Sequence, residues 1–467
     1  MTKKNQNLLI ISFDQWRGDW LKFDKPVVDL INLRELAKTG IKFNRCYTSS
    51  PQCMPARFSW LTGLEPSQMG VTRNENIDLP KDAPSAIRDI RERGWNTCII
   101  GKTHWTKHNI KGDIRDKAEH IAELGFNDII EVVGPRALQI IDCELTDHWK
   151  KEGYYNEYKK DMQKRYAKGR TAEAWKNRSS ILPPHLYPDI WIANQSIKKL
   201  KTLNKSTEPW LLWISFVGPH EPFDTPWPWR GMTKEAQIYD AISERPWVNQ
   251  QEKNTTMGKA VAKWKGRVNR EEIRELRIDY GDQLKLLDDQ VGKIIKALNK
   301  YHLKNSTNIL VMADHGEMLG DGGMLYKSTF FESVINVPMI YKPAGDECRS
   351  MQINNLTSLT KTFQQIVKHL YTKESLKELK AWFLQGRRVV IEYEDERTFI
   401  NGDKKVCLNA SGKILWATNT GEDPEEKRNV ACGRELNGKQ WVKLINWARD
   451  ETNMRRRKEW LWRNLTI

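Results

Sequence analysis

Short runs of consecutive apolar residues recur along the first two-thirds of this chain, alternating with stretches of helical periodicity. No other feature constrains the fold as much. Leu8–Phe13 is one such run, and Pro26 then opens a helical pattern through Leu30, Leu33 and Leu36 that Gly40 stops. Residues 41–47 predict a short strand, 85–93 a helix closed by Gly94, and 95–100 another strand. A helix over 190–203 precedes a buried strand at 210–217, and a long helix over about 270–301 precedes a strand at 308–312. Strand and helix in this order predict an α/β domain on a large, mainly parallel sheet flanked by helices.

Reactive residues stand where these runs stop: Asp14, Lys102, His220 and Asp314. In open α/β sheets the ligand site lies at the carboxyl ends of the strands, so four such sets are expected to meet there. Residues 105–185 lack clear strand signals and are read, with 224–268, as insertions around the mouth of the site. After about residue 345 the pattern changes to short strands near 388–391, 397–400, 405–408 and 413–416, with Asn401-Gly402 and Ser411-Gly412 turns. The expected division is a catalytic domain over 1–345 and a smaller α+β subdomain over 346–467, carrying an antiparallel sheet and a basic tail.

The formal charge of +16 points to an anionic ligand or to a basic surface. No helix-turn-helix, zinc-finger or RNA-recognition pattern supports nucleic-acid binding. Several of the twenty tryptophans (149, 175, 191, 227, 229, 247 and 264) fall between residues 145 and 270, among many lysines and arginines. They read either as a stacking groove for a polyanion or as buried residues under a charged face, and the second is preferred. No apolar run is long enough to span a membrane. Leu8–Ile11 is too short for a signal peptide and runs into Phe13-Asp14-Gln15-Trp16-Arg17 without a cleavage site. Seven scattered cysteines with no C-x-x-C pair suggest neither a disulfide framework nor a zinc site, so a cytoplasmic location is expected.

One cysteine stands apart. Cys53 lies in Ser49-Ser50-Pro51-Gln52-Cys53-Met54-Pro55-Ala56-Arg57, followed by Leu61-Thr62-Gly63. A helix through Phe58-Ser59-Trp60-Leu61 would put Cys53 just before its N-terminus, where free N–H groups favour an anion. That position suits a reactive thiolate, but a thiolate leaves Pro55 and Arg57 without a role. The C-x-P-x-R…L-T-G pattern resembles the maturation and active-site motif of the formylglycine-dependent sulfatases, in the alkaline phosphatase superfamily. In that family the cysteine is oxidised to an aldehyde by a formylglycine-generating enzyme.

The resemblance extends along nearly the whole chain and implies an alkaline-phosphatase-like fold. Asp14-Gln15 and Asp314-His315 resemble the family's metal-binding positions, more closely in the choline-sulfatase and phosphonate-monoester-hydrolase branch. They imply, with Cys53, one divalent cation: calcium first, with manganese or magnesium as alternatives. Gly101-Lys102-Thr103-His104 is similar to the G-K-x-H motif, which implies that Lys102 neutralises ester oxygens and His104 acts as base. Gly218-Pro219-His220-Glu221-Pro222-Phe223 is similar to the P-H-x-P-F loop, with His220 on the ester and the leaving oxygen. Lys327 matches the late active-site lysine, Asn74 an ester-contacting asparagine, and Arg57 a residue that orients the oxidised Cys53. Residues 421–431 look like the closing D-P-x-E-x-x-N-L stretch of sulfatase C-terminal domains.

These matches imply hydrolysis of a sulfate monoester to alcohol and sulfate. The hydrated aldehyde attacks sulfur, and His104 then removes a proton so that sulfate leaves and the aldehyde returns. Phosphonate monoester or phosphodiester hydrolysis with the same nucleophile is the nearer rival, and a non-catalytic polyanion-binding protein the other. The Lys102–His104 pair favours sulfate. The expected substrate is a small anionic sulfate ester, with a sulfated saccharide as an alternative. No nucleic acid or membrane partner is expected; the basic, aromatic tail over 454–462 either docks on a second subunit, as in a homo-oligomer, or folds back on its own chain.

Overall fold

A computed structural model describes residues 6–465 except 25, 109–110, 168–173, 177–178, 234–237, 346–349, 373 and 432; for 456–465 only the backbone is described. Cys348 and Cys432 lie outside the described residues, as do the side chains of Trp460 and Trp462.

The main sheet has eight strands. In chain order they are β1 (Asn7–Phe13), β2 (Ile41–Phe43), β3 (Asn96–Gly101), β4 (Asp128–Glu131), β5 (Trp210–Ser215), β6 (Thr307–Ala313), β7 (Met339–Lys342) and β8 (Met351–Ile353). Their order across the sheet is β8-β2-β7-β6-β1-β5-β3-β4. All pairs are parallel except those of β7, which runs against both β6 and β2. β1, β5 and β6 are buried at every position, as strands enclosed on both faces must be, which is why they read as unbroken apolar runs.

Helices α1 (Ile31–Lys38), α3 (Pro188–Leu203) and α4 (Arg270–Lys300) pack together, while α2 (Cys53–Thr62) packs on α5 (Leu359–Tyr371). Trp213 of β5 joins the second group to the sheet, with ring centroids 6.1 Å from Trp60 and 5.5 Å from Phe363. Truncating such a buried aromatic typically costs about 3–5 kcal/mol.

The sheet differs from the sequence expectation in two places. Residues 105–185 do contribute a strand, β4, at the edge of the sheet beside β3. Asp-Ile-Ile-Glu is too short and too half-buried to stand out as an apolar run. The main sheet also continues past residue 345, because β8 pairs with β2 and α5 packs on α2. The second sheet begins only at Val389, with β9 (Val389–Tyr393), β10 (Glu396–Asn401), β11 (Lys404–Asn409) and β12 (Ile414–Asn419) in antiparallel order.

The final helix α6 (Lys439–Leu465) lies back on β10 and β11 and buries Trp441, Leu444, Ile445 and Ala448 there. The closing segment stitches the two sheets together: buried Glu426 accepts from the Glu332 backbone N–H at 2.9 Å and pairs with Lys405, while its carbonyl takes the Trp247 indole N–H. Of the nine tryptophans between 145 and 270, eight are buried and Trp227 is exposed, so they do not form an open stacking groove. Among the described residues no helix is long and apolar enough to cross a membrane.

Candidate active site

Strand register brings the site together. β1 and β6 end in the pair Phe13–Ala313, so Asp14 and Asp314 leave the sheet side by side. β3 and β5 end in the pair Gly101–Ser215, and the Lys102 N–H then donates to the Ser215 carbonyl at 2.9 Å. Gly101 has φ +113, and a Cβ there would collide with that carbonyl oxygen, so this close approach requires glycine. The Asp14 N–H donates to the Gly218 carbonyl at 3.1 Å, which ties the 218–222 loop to the end of β1.

Cys53 is the first residue of α2, not the residue before it, with Gln52 as N-cap. The Met54 N–H donates to Asn74 Oδ1 at 2.9 Å, and the Asn74 N–H donates to Gln52 Oε1 at 2.6 Å. Asn74 therefore fixes the start of α2, and is itself exposed.

Ligand atoms of Asp14, Cys53, Asp314 and His315 lie within 4.8 Å of one another, all buried. Cys53 Sγ is 3.7 Å from Asp14 Oδ1 and 3.2 Å from His315 Nε2. The Gly316 carbonyl lies 2.9 Å from His315 Nδ1, so a proton on Nδ1 leaves Nε2 facing the cluster; burial pushes this ring's value down, but Asp314 and Cys53 outweigh it and raise it above the ordinary histidine value. Gln15 adjoins it in the left-handed region at φ +73, with its N–H on Asp314 Oδ1 at 3.0 Å and its carbonyl taking the Tyr280 hydroxyl at 2.9 Å. Gln15 Oε1 is buried without a hydrogen-bond partner among the described residues. Two carboxylates, an imidazole and an orphaned amide oxygen fit a divalent cation with mainly oxygen ligands.

Three cationic side chains enclose this group. Arg57 Nε donates to Asp314 Oδ2 at 2.7 Å and Nη2 to Asp14 Oδ2 at 3.3 Å, while Nη1 reaches the Lys102 carbonyl at 2.7 Å. Arg57 thus spans the two carboxylates and not the cysteine. The Lys102 ammonium contacts Asp14 Oδ2. Lys327 Nζ donates to Cys53 Sγ at 2.8 Å and lies 3.1 Å from His315 Nε2. Burial pushes the Asp14 carboxyl up, yet Lys102, His220, Lys327 and Arg57 hold it well below the usual carboxylate range. Burial and Asp14 likewise raise the Cys53 thiol, but Lys327, Lys102 and His315 outweigh them and bring it well below its ordinary value. The site is built to hold negative charge at position 53.

His104 and His220 flank this centre. His104 is half-buried at φ +57, its ring stacked on His108 at 4.8 Å, with Nδ1 unpartnered among the described residues. Burial, His108 and Lys102 hold it well below the ordinary histidine value, so it is neutral and ready to accept a proton. His220 Nδ1 lies 2.8 Å from the Glu221 carbonyl and 3.1 Å from Glu221 Oε2, while Nε2 has no hydrogen-bond partner among the described residues.

Sequence reasoning passed over Glu131, Glu221 and Glu317. Glu131 holds the Thr103 hydroxyl and faces His108 Nε2 at 3.2 Å. Glu317 and Glu221 both contact the Gln15 amide. Their signal was present, since Glu317 follows Asp314-His315-Gly316 and Glu221 sits inside Pro219-His220-Glu221-Pro222.

The sulfatase family model matches residues 6–372. An arylsulfatase of Clostridium perfringens is 25% identical over 462 residues, covering 95% of this chain and 92% of its own. A choline-sulfatase of Rhizobium meliloti is 27% identical over 364 residues, covering 74% and 64%. Among solved structures, a phosphonate monoester hydrolase of Agrobacterium radiobacter superimposes with TM-score 0.75 at 19% identity, covering 97% of this chain and 96% of its own, and so shares the fold. The chain belongs to the sulfatase family. It is a sulfuric ester hydrolase.

Proposed function

We propose that the enzyme cleaves a small sulfate monoester through a formylglycine made from Cys53, with a divalent cation held by Asp14, Gln15, Asp314 and His315. The observation that carries this is the convergence of Asp14, Asp314 and His315 on Cys53, under Lys327. Cys53 Sγ stands in for the oxygen of the oxidised side chain. Once hydrated, the aldehyde would supply a hydroxyl nucleophile and be regenerated when sulfate leaves, and the cation, calcium or manganese, would supply charge to activate that oxygen.

The remaining chemistry belongs to this chain's own side chains. Lys102 and Lys327 bind the peripheral sulfate oxygens and offset the charge that shifts among them. His220 presents Nε2 to the leaving oxygen and gives it a proton, its Nδ1 being engaged by Glu221. His104, kept neutral by burial and by its cationic neighbours, takes the proton whose removal expels sulfate. Arg57 holds the Asp14 and Asp314 carboxylates in place. Among the described residues five cysteines are free and buried, which supports a reducing, cytoplasmic setting.

The Asp-Gln and Asp-His pairs favour a second reading, hydrolysis of a phosphonate monoester by the same residues. The test is kcat/KM for an aryl sulfate against a phenyl phosphonate ester, on protein whose Cys53 peptide carries the aldehyde mass, with Cys53→Ala as control. Sulfate preference that vanishes in the control supports the proposal; phosphonate preference overturns it in favour of the second reading.

A further inference from the structure

The side chain of Gln15 raises a question of orientation. A carboxamide has nearly the same shape either way round, so its neighbours alone decide whether oxygen or nitrogen faces a given direction. Gln15 Nε2 lies 2.6 Å from Glu317 Oε2 and 3.1 Å from Glu221 Oε2. Both carboxyl oxygens are placed to accept from this one nitrogen, so both call for the amide N–H groups. Turning the amide over would set its oxygen against two carboxylates and leave the N–H groups in the buried space that Oε1 now occupies without a partner.

Glu317 is itself immobilised. It is fully buried, and its Oε1 accepts from the Leu319 N–H at 3.1 Å and from the Tyr326 N–H. Those two bonds leave Oε2 for Gln15, and they anchor the residue next to Lys327. Glu221 is the weaker partner, because its Oε2 also faces His220 Nδ1 at 3.1 Å.

We infer that Glu317, assisted by Glu221, is a positioning residue that fixes the Gln15 amide with its oxygen turned to the cation. This rests on the cation reading given above. Outer partners that orient a metal ligand typically change affinity by about 10–100-fold when removed. Glu317→Gln keeps an oxygen for the Leu319 and Tyr326 N–H groups but turns a donor toward Gln15, so the Gln15 amide must flip or lose its partner.

The experiment is calorimetric titration of Ca²⁺ and of Mn²⁺ into chelator-stripped full-length protein: wild type, Glu317→Gln, Gln15→Ala and the double variant. The expected result is about 10–100-fold weaker binding in Glu317→Gln, with the double variant no weaker than Gln15→Ala alone. Unchanged binding in Glu317→Gln, or losses that add in the double variant, overturns the inference, since a purely structural residue would act independently of Gln15. Wild type that binds neither ion removes the cation reading and the inference with it. Should Glu317→Gln fail to fold, Glu221→Gln carries the same cycle: a smaller loss that disappears beside Gln15→Ala supports the inference, and an additive loss overturns it.

Discussion

Lys327 Nζ donates to Cys53 Sγ at 2.8 Å across 274 residues of sequence. The same nitrogen lies 3.1 Å from His315 Nε2, so one ammonium covers both Cys53 and the imidazole beside it. Burial opposes its charge, but Cys53 and Asp14 more than restore it, and the lysine stays protonated.

Lys327→Met should therefore remove a fixed charge from the reacting centre. Losing one such donor costs about 10²–10³ in rate. The expected outcome is a fall of that size in kcat/KM on an aryl sulfate, with inorganic sulfate also weaker as a product inhibitor. A loss below tenfold would mean that Lys327 lies outside the reacting centre.

Arg57 holds two buried carboxylates with one guanidinium. Arg57→Ala leaves both without that partner, and breaking a buried ion pair on one side costs about 3–5 kcal/mol. Equilibrium urea unfolding of chelator-treated protein should show that loss. Arg57→Lys should recover only part of it, because an ammonium cannot reproduce the planar fork. Equal stability of Arg57→Lys and wild type would contradict the bridging role.

His104 is held well below the ordinary histidine value of 6.5, chiefly by burial and then by His108 and Lys102. It therefore stays unprotonated as pH falls through the usual histidine range, and the acid limb of kcat that reports it should lie below 6.5. His104→Ala should release alcohol rapidly in the first turnover and then slow by about 10²–10⁴, the range for a lost proton acceptor. Rapid-quench kinetics separates the two phases. Equal slowing of both would place His104 in the first step instead.

Asp189 offers a pH test away from the chemistry. Its Oδ1 accepts from the Val217 and Gly218 N–H groups at 2.8 and 3.1 Å, and burial raises its carboxyl from 3.8 to about 7. The folded state holds this proton more tightly than the unfolded state does. Stability from this group is thus fully present below about 4 and falls as pH rises through about 7, by a few kcal/mol in all. Asp189→Asn keeps the oxygen acceptor and removes the titration. The urea midpoint of wild type should drop more between pH 5 and pH 8 than that of Asp189→Asn; parallel curves would contradict the assignment.

Much of the frame was legible because apolar periodicity reports burial directly. β1, β5 and β6 are buried throughout, and the residues that follow β1 and β6, Asp14 and Asp314, sit at one level by parallel register. The edge strand β4 and the late strand β8 were not legible, since half-buried or three-residue strands carry little periodic signal. That Asp14, Cys53, Asp314 and His315 meet could be read from motif spacing, whereas what supports them could not. Glu317 and Glu221 are distinguished only by which side chain they face, and the Gln15 contacts span 302 and 206 residues. Arg57 shows the same limit: its position was anticipated, but its grip on Asp14 and Asp314 depends on where α2 meets the sheet.

The most direct measurement compares the aldehyde fraction of the Cys53 peptide, by mass spectrometry, with specific activity toward an aryl sulfate in preparations matured to different extents. If the oxidised side chain is the working group, activity rises in proportion to that fraction and extrapolates to zero where only thiol is found. Full activity in protein whose residue 53 is entirely cysteine would contradict it.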